Sequence, residues 1–191
     1  AVLQRGMPVP VWGTASPGEQ VTVNFNGQTK SVAADDSGNW MILLDPMDAS
    51  NAAHDMVITG ENVISRTGIQ IGEVWVGSGQ SNMQRPVGDD LDAAEAIADA
   101  PNHNMRFFNV TANGGNVSNT VWQVSDETLA PAMSAVHFYF GRHLAQMTST
   151  MTATLWPIAR TATVPLNRCA NAWLSGPPAP TIANAVPTNV V

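Results

Sequence analysis

Cysteine is nearly missing from this chain. Cys169 stands alone, so no internal disulfide can form. That suits a cytoplasmic protein and a disulfide-free secreted one equally well. Charge is scarce too: Asp, Glu, Lys and Arg make up 12% of the 191 residues, against roughly 25% in an average soluble domain. Eight basic residues against fifteen acidic ones leave a net charge of −7, which makes nucleic acid and anionic membrane poor partners. Long apolar runs are also absent, and none approaches the roughly 20 residues a membrane-spanning helix needs. No signal peptide is visible. The first residues, AVLQRGMPVPVWG, already read as the middle of a domain, so that last absence carries little weight.

What is present is a hydrophobic fraction of 44%, enough for a real core in one medium domain or two small ones. The charge is unevenly spread. All fifteen acidic residues lie at or before Glu127, while residues 151–191 carry only Arg160 and Arg168 and hold six of the thirteen prolines. The chain changes character there.

Residues 1–70 read as all-β. VTVNF at 21–25 alternates and is β-branched, Asn26-Gly27 is a two-residue hairpin signal, and QTKSVAA alternates back. DDSGN at 35–39 is a second turn, and WMILL at 40–44 a more continuously apolar strand. Turn spacing of about ten residues suits a small sandwich. From Ile71 the pattern shifts. IGEVWV reads as a buried strand, DDLDAAEAIADA at 89–100 as a helix, MRFFNV at 105–110 as a strand, and TANGGNVSNT at 111–120 as a loop. SAVHFYFGRHLAQM at 134–147 reads as a helix capped by Ser134, with Ala135, Val136, Tyr139, Phe140 and Leu144 inward. Strand, helix, strand, loop, helix is the start of an α/β domain.

One stretch interrupts this regularity: GEVWVGSGQSNM, residues 72–83. In an open α/β sheet ligands bind beyond the carboxyl ends of the strands, and Ser81 falls there. Gly77 and Gly79 allow a sharp turn and close approach of the backbone. A serine in such a turn can present its hydroxyl while backbone N–H groups point into the same space. The glycines fit neither a dinucleotide loop, since Asn82 stands where a third glycine belongs, nor a phosphate-binding loop. Met83 rules out a Gly-x-Ser-x-Gly elbow. Spacing alone therefore leaves a structural turn and a nucleophile both open.

The literal string narrows the choice. GEVWVGSGQSNM resembles the nucleophile block of the sialate O-acetylesterase-like family of the SGNH-hydrolase superfamily, which reads close to GEVWLCSGQSNM. VLQRGMPVPVWGTASPGEQVTVNFNGQTK resembles that family's N-terminal β module, and VWQVSDETLAPAMSAVHFYFGRHL at 121–144 its W-x-x-x-S-x-E-T…FSAVaYyFGR-x-L segment, with Met133 for the usual Phe. The resemblance implies an incomplete SGNH-hydrolase (flavodoxin-like) α/β sheet preceded by a small β-sandwich module. It divides the chain into a module at 1–70, the first part of the hydrolase domain at 71–147, and an aberrant or disordered tail at 148–191. It implies a carbohydrate or sialate O-acetylesterase with Ser81 as nucleophile. The Ser81 N–H would be an oxyanion donor, and Gly79, Gln80 and Asn82 would shape the supporting turn. The partner would be a small-molecule or polysaccharide acetyl ester. No cofactor or metal is implied, and export to the periplasm or beyond is expected.

After Gln146 the resemblance ends. The family's blocks like VPVGLI, SSWGGT and WYQGESN, and its Asp-x-x-His segment with the general base, have no counterpart in MTSTMTATLWPIARTATVPLNRCANAWLSGPPAP. A shifted reading frame, or an otherwise aberrant end, over roughly 148–191 is the expected reason for the loss, and the other two frames of the gene test it. Of the four histidines, His54 reads as a surface-turn residue and His103 as a loop residue, while His137 and His143 fall on different faces of one helix. Asp89 and Asp90 read as helix-start residues. A serine hydroxyl without a base is a weak nucleophile, so the chain is expected to be an inactive fragment. The alternative is a non-catalytic β-sandwich module, glycan-binding or structural, joined to a hydrolase remnant. A strand at 71–76 without sheet neighbours would also make the chain poorly soluble.

Overall fold

The computed structural model describes residues 1–77, 79, 81–109 and 121–148, and the backbone of 152–156. The expected loop at 111–120 and Gln80 lie outside the described residues. The strands are β1 (Val2–Gln4), β2 (Val9–Thr14), β3 (Gln20–Phe25), β4 (Gln28–Ala33), β5 (Asn39–Leu44), β6 (Ser50–Thr59), β7 (Val63–Val76), β8 (Met105–Asn109), β9 (Gln123–Val124) and β10 (Thr152–Trp156). Among the described residues two α-helices accompany them, α1 (Ala93–Asp99) and α2 (Ala135–Thr148). The result is α/β, with a mixed sheet and few helices.

The main sheet runs β4-β3-β6-β7-β10-β8-β9, with β1 also on β7; β2 and β5 form a separate antiparallel pair. Its first half is antiparallel for a local reason. Asn26 and Gly27 both take positive φ, 47° and 76°, which is the twist a two-residue hairpin needs, and β3 and β4 pair from Phe25↔Gln28 outward. Asp35 closes the next turn, its Oδ1 accepting the backbone N–H groups of Ser37 (2.9 Å) and Asn39 (2.8 Å). The β2–β5 pair packs over the main sheet. Val9, Val11, Trp40, Ile42 and Leu44 share one core with Val21, Val23, Phe25, Met56, Ile58, Ile69 and Ile71. β5 is not apolar on both sides in its setting: Trp40, Ile42 and Leu44 point inward, whereas Met41 and Leu43 are more than half exposed. A strand with one covered face alternates whatever its composition.

β7 belongs to both halves of the sheet. Its first residues pair antiparallel with β6, from Thr59↔Val63, and its last pair parallel with β10, from Glu73↔Thr152 to Val76↔Leu155. Position 70/71 lies inside this one strand. β10 pairs parallel with β8 on its other side, Met105↔Thr152 to Asn109↔Trp156. The strand at 71–76 thus has the neighbour that the sequence reading denied it. Residues 152–156 of the expected tail supply that neighbour, and residues 157–191 lie outside the described residues. A second core lies under the helices and joins Val87, Ala96, Ala100, Met105, Phe107, Ala130, Met133, Phe138 and Ala145.

α1 is shorter than the 89–100 expected: residues 87–89 form a 3₁₀ turn and the α-helix starts at Ala93. α2 begins where Ser134 predicts, the His137 N–H donating to Ser134 Oγ at 3.4 Å. Its buried face is not the one the large apolar residues suggest. His137, Phe138, Gly141 and Ala145 point inward, while Val136 and Phe140 are 45% and 41% exposed. The inward stripe keeps the helical spacing but fills it with a histidine, a glycine and an alanine, which hydrophobicity alone does not select.

Candidate functional site

The stretch containing Ser81 starts at the carboxyl end of β7, in the parallel part of the sheet. Its entry is tied down by Glu73. The Glu73 carboxylate accepts from Arg5 Nε (2.6 Å) and Gln4 Nε2 (3.1 Å), and the Val74 N–H donates to Gln4 Oε1 (2.8 Å). Burial pushes the Glu73 carboxyl up, but the hydrogen bonds from Gln4 and Arg5 and the charge of Arg5 outweigh it, so the group is held below its ordinary 4.5. A carboxylate so held stabilises the fold above its ordinary value, and that contribution is lost as pH falls through the lower folded value. We expect Glu73→Gln to cost on the order of 1 kcal/mol at pH 7, since Arg5 is partly exposed. We also expect it to flatten the acid limb of urea midpoints measured from pH 6 to pH 3. A variant with the wild-type acid limb would refute this.

Trp75 is not buried as the strand pattern suggested. It is 44% exposed and its ring meets Phe140 edge-on at 5.2 Å. Beyond Val76 the backbone turns through Gly77 and Gly79 into a 3₁₀ turn, Ser81–Gln84. Gly79 is needed because Met83 folds back on it: a Cβ there would lie 2.6 Å from Met83 Cγ. Ser81 is exposed and has φ 56°, the left-handed region that serine rarely enters. Asn82 is exposed as well, and its carbonyl accepts the Arg85 N–H at 3.3 Å. The following residues are laced to the start of α2. Ala135 N–H donates to the Arg85 carbonyl (2.9 Å), Val87 N–H donates to the Met133 carbonyl (2.8 Å), and Pro86 bridges Ser134. α2 also packs directly on the 81–84 turn.

Of the predicted site residues, Gly79, Ser81 and Asn82 share this one turn. The histidines are scattered. His54 lies half-buried inside β6, its Nε2 3.1 Å from Ser50 Oγ and its ring edge-on to Phe25, so the surface-turn reading fails. His143 is exposed on α2. His137 is buried against Gly77, and burial pushes its imidazole down from its ordinary value. His103 makes a contact that the sequence reading missed. Its Nε2 lies 2.6 Å from Asp99 Oδ2, and Asn102 Nδ2 donates to Asp99 Oδ1 at 3.0 Å. The i, i+4 spacing of Asp99 and His103 at the end of α1 was the available signal. Among the described residues no hydrogen bond joins Ser81 to a histidine. No group of three or more His, Cys, Asp or Glu there could hold a metal.

No protein-family model matches the chain. Among curated proteins it is similar to sialate O-acetylesterases. The protein from Mus musculus is 33% identical over 112 residues, which is 53% of this chain and 21% of the relative. Those from Pongo abelii and Homo sapiens are 30% and 31% identical over 158 residues, covering 70% of this chain and 30% of each relative. The chain therefore spans less than a third of the length of these relatives. Among solved structures it matches a carbohydrate acetylesterase from Xanthomonas citri with a TM-score of 0.75 and 27% identity, over 83% of this chain and 38% of the other. The resemblance to sialate O-acetylesterases read from the sequence thus returns among the curated proteins, and the matching solved structure is a carbohydrate acetylesterase.

Proposed function

Starting from that kinship with the sialate O-acetylesterases, we propose that this chain is the amino-terminal part of a serine esterase that removes O-acetyl groups from carbohydrates. The observation that carries the reading is Ser81: an exposed serine in the left-handed region, at the carboxyl end of a parallel strand. Such a conformation costs about 1–3 kcal/mol and persists where the surroundings impose it, often at functional sites. In this reading Ser81 Oγ attacks the acetyl carbonyl as a base takes its proton. The Ser81 N–H helps hold the oxyanion, the sugar hydroxyl leaves, and water hydrolyses the acetyl-enzyme. Gly79, Gln80 and Asn82 shape the turn. Residues 1–70 serve as a β-sandwich module, residues 71–147 open an SGNH-hydrolase domain, and the base lies in the part of that domain this chain lacks. Export is the expected location.

A second reading, a glycan-binding or structural β module without catalysis, is favoured by one feature. A shallow open groove of about 290 Å³ beside the Asn26-Gly27 turn is lined by Asn24, Gln28, Thr29 and Asp55, whose side chains already bond within the protein, Thr29 Oγ1 donating to Asn24 Oδ1 and the Gln28 amide meeting the Asp45 backbone. A chromogenic acetyl ester separates the readings. The chain alone and its Ser81→Ala variant are expected to give equal background rates, and a higher rate from the chain alone would refute the missing base. Extended with the carboxyl-terminal part of the Xanthomonas citri acetylesterase, the chain should gain turnover that Ser81→Ala lowers about a thousandfold or more. Turnover that survives the substitution would refute Ser81 as nucleophile and leave the binding module.

A further inference from the structure

The turn that carries Ser81 leaves β7 through Gly77, and Gly77 faces the ring of His137. A Cβ added at Gly77 would overlap His137 Nε2 and press on Cδ2 and Cε1. The ring is 5% exposed and comes from the first turn of α2, where the Ser134 hydroxyl caps the His137 N–H. Ser134 is itself bridged to Pro86, and α2 packs against both β10 and the 81–84 turn. The imidazole is therefore a fixed wedge between the end of β7 and α2. Burial keeps it towards its neutral form.

We propose that His137 is a positioning residue for the Ser81 turn: its ring occupies the volume a side chain at position 77 would need, and Gly77 and His137 form one complementary pair that fixes where the chain leaves β7. The packing half of this proposal stands by itself. Its consequence for chemistry rests on Ser81 being the nucleophile. His137 acts through the turn and not as the base, since its ring is buried while Ser81 is exposed. Glycine at 77 is required because histidine stands at 137, a dependence that neither residue reveals alone.

A double-mutant cycle on this chain tests the pair. Gly77→Ala is expected to raise the unfolding equilibrium constant about 30-fold or more with His137 present, and less than about 3-fold in a His137→Ala background, where the methyl group enters the vacated space. The backbone chemical shifts of Ser81 should move away from left-handed values in Gly77→Ala and return in the double variant, which a loss of general stability would not produce. Additive effects, or unmoved Ser81 shifts, would overturn the proposal. If Gly77→Ala does not fold, a folded double variant supports the pair, and an unfolded one beside a folded His137→Ala overturns it. In the wild-type chain, nuclear Overhauser contacts between the Gly77 Hα protons and the His137 ring are expected, and their absence is equally fatal. None of these readouts uses ester hydrolysis, so the pair and the nucleophile reading fail separately.

Discussion

Phe138→Ala is expected to cost about 3–5 kcal/mol of unfolding free energy, the range for emptying a buried aromatic site. Phe138 is fully buried on α2. It packs with Met105, Phe107, Ala130, Met133 and Ala145 in the second core, and its ring meets Tyr139 edge-on at 5.6 Å. Two residues along the same helix, Phe140 is 41% exposed and touches Trp75. Phe140→Ala should therefore cost no more than about 1 kcal/mol. Urea midpoints of the two variants decide which face of α2 is inward. Equal losses would mean that the helix is rotated from the orientation described above.

The second large effect is expected at Arg106. From β8 its Nη1 donates to two backbone carbonyls, Ala1 at 2.9 Å and Gly68 at 2.7 Å. It thereby joins the parallel part of the sheet to the β1–β7 edge. Arg106→Met keeps most of the apolar stem but leaves both carbonyls without the charged donor. About 2–3 kcal/mol should be lost, given the strength of hydrogen bonds to charged groups and the half-buried setting. Arg106→Lys should recover part of it. A change in the urea midpoint equivalent to less than about 0.5 kcal/mol in Arg106→Met would show that water replaces the guanidinium without loss.

Much of the first half was legible because its signals are local. Asn26-Gly27 demands positive φ at two successive residues, and the alternation on either side sets the register. Ser134 likewise announced the start of α2 through the one hydroxyl able to cap it. What escaped depends on partners distant in sequence. The burial of His137 depends on Gly77 leaving room for its ring, which nothing in SAVHFYFGRHL announces. TATLW at 152–156 sits in a stretch without family blocks or charge, and its strand exists only because β7 and β8 offer edges on both sides. For the site, the literal motif brought Gly79, Ser81 and Asn82 to one turn. The left-handed backbone of Ser81 was not readable, because such geometry is ordinarily announced by glycine.

The position of β10 also dictates an order of events as the chain folds. β7 and β8 are complete by residue 109, yet they cannot close on each other, because the strand that belongs between them is made later, at 152–156. Until it arrives, the nascent chain holds two open parallel edges and must close long loops to fill them, which is slow. Open edges of this kind are where one growing chain pairs with another. The seat of Ser81 is thus among the last parts of the described sheet to be secured. A chaperone that shields the edges of β7 and β8 during synthesis would raise the yield of folded chain more than one that acts on the finished protein.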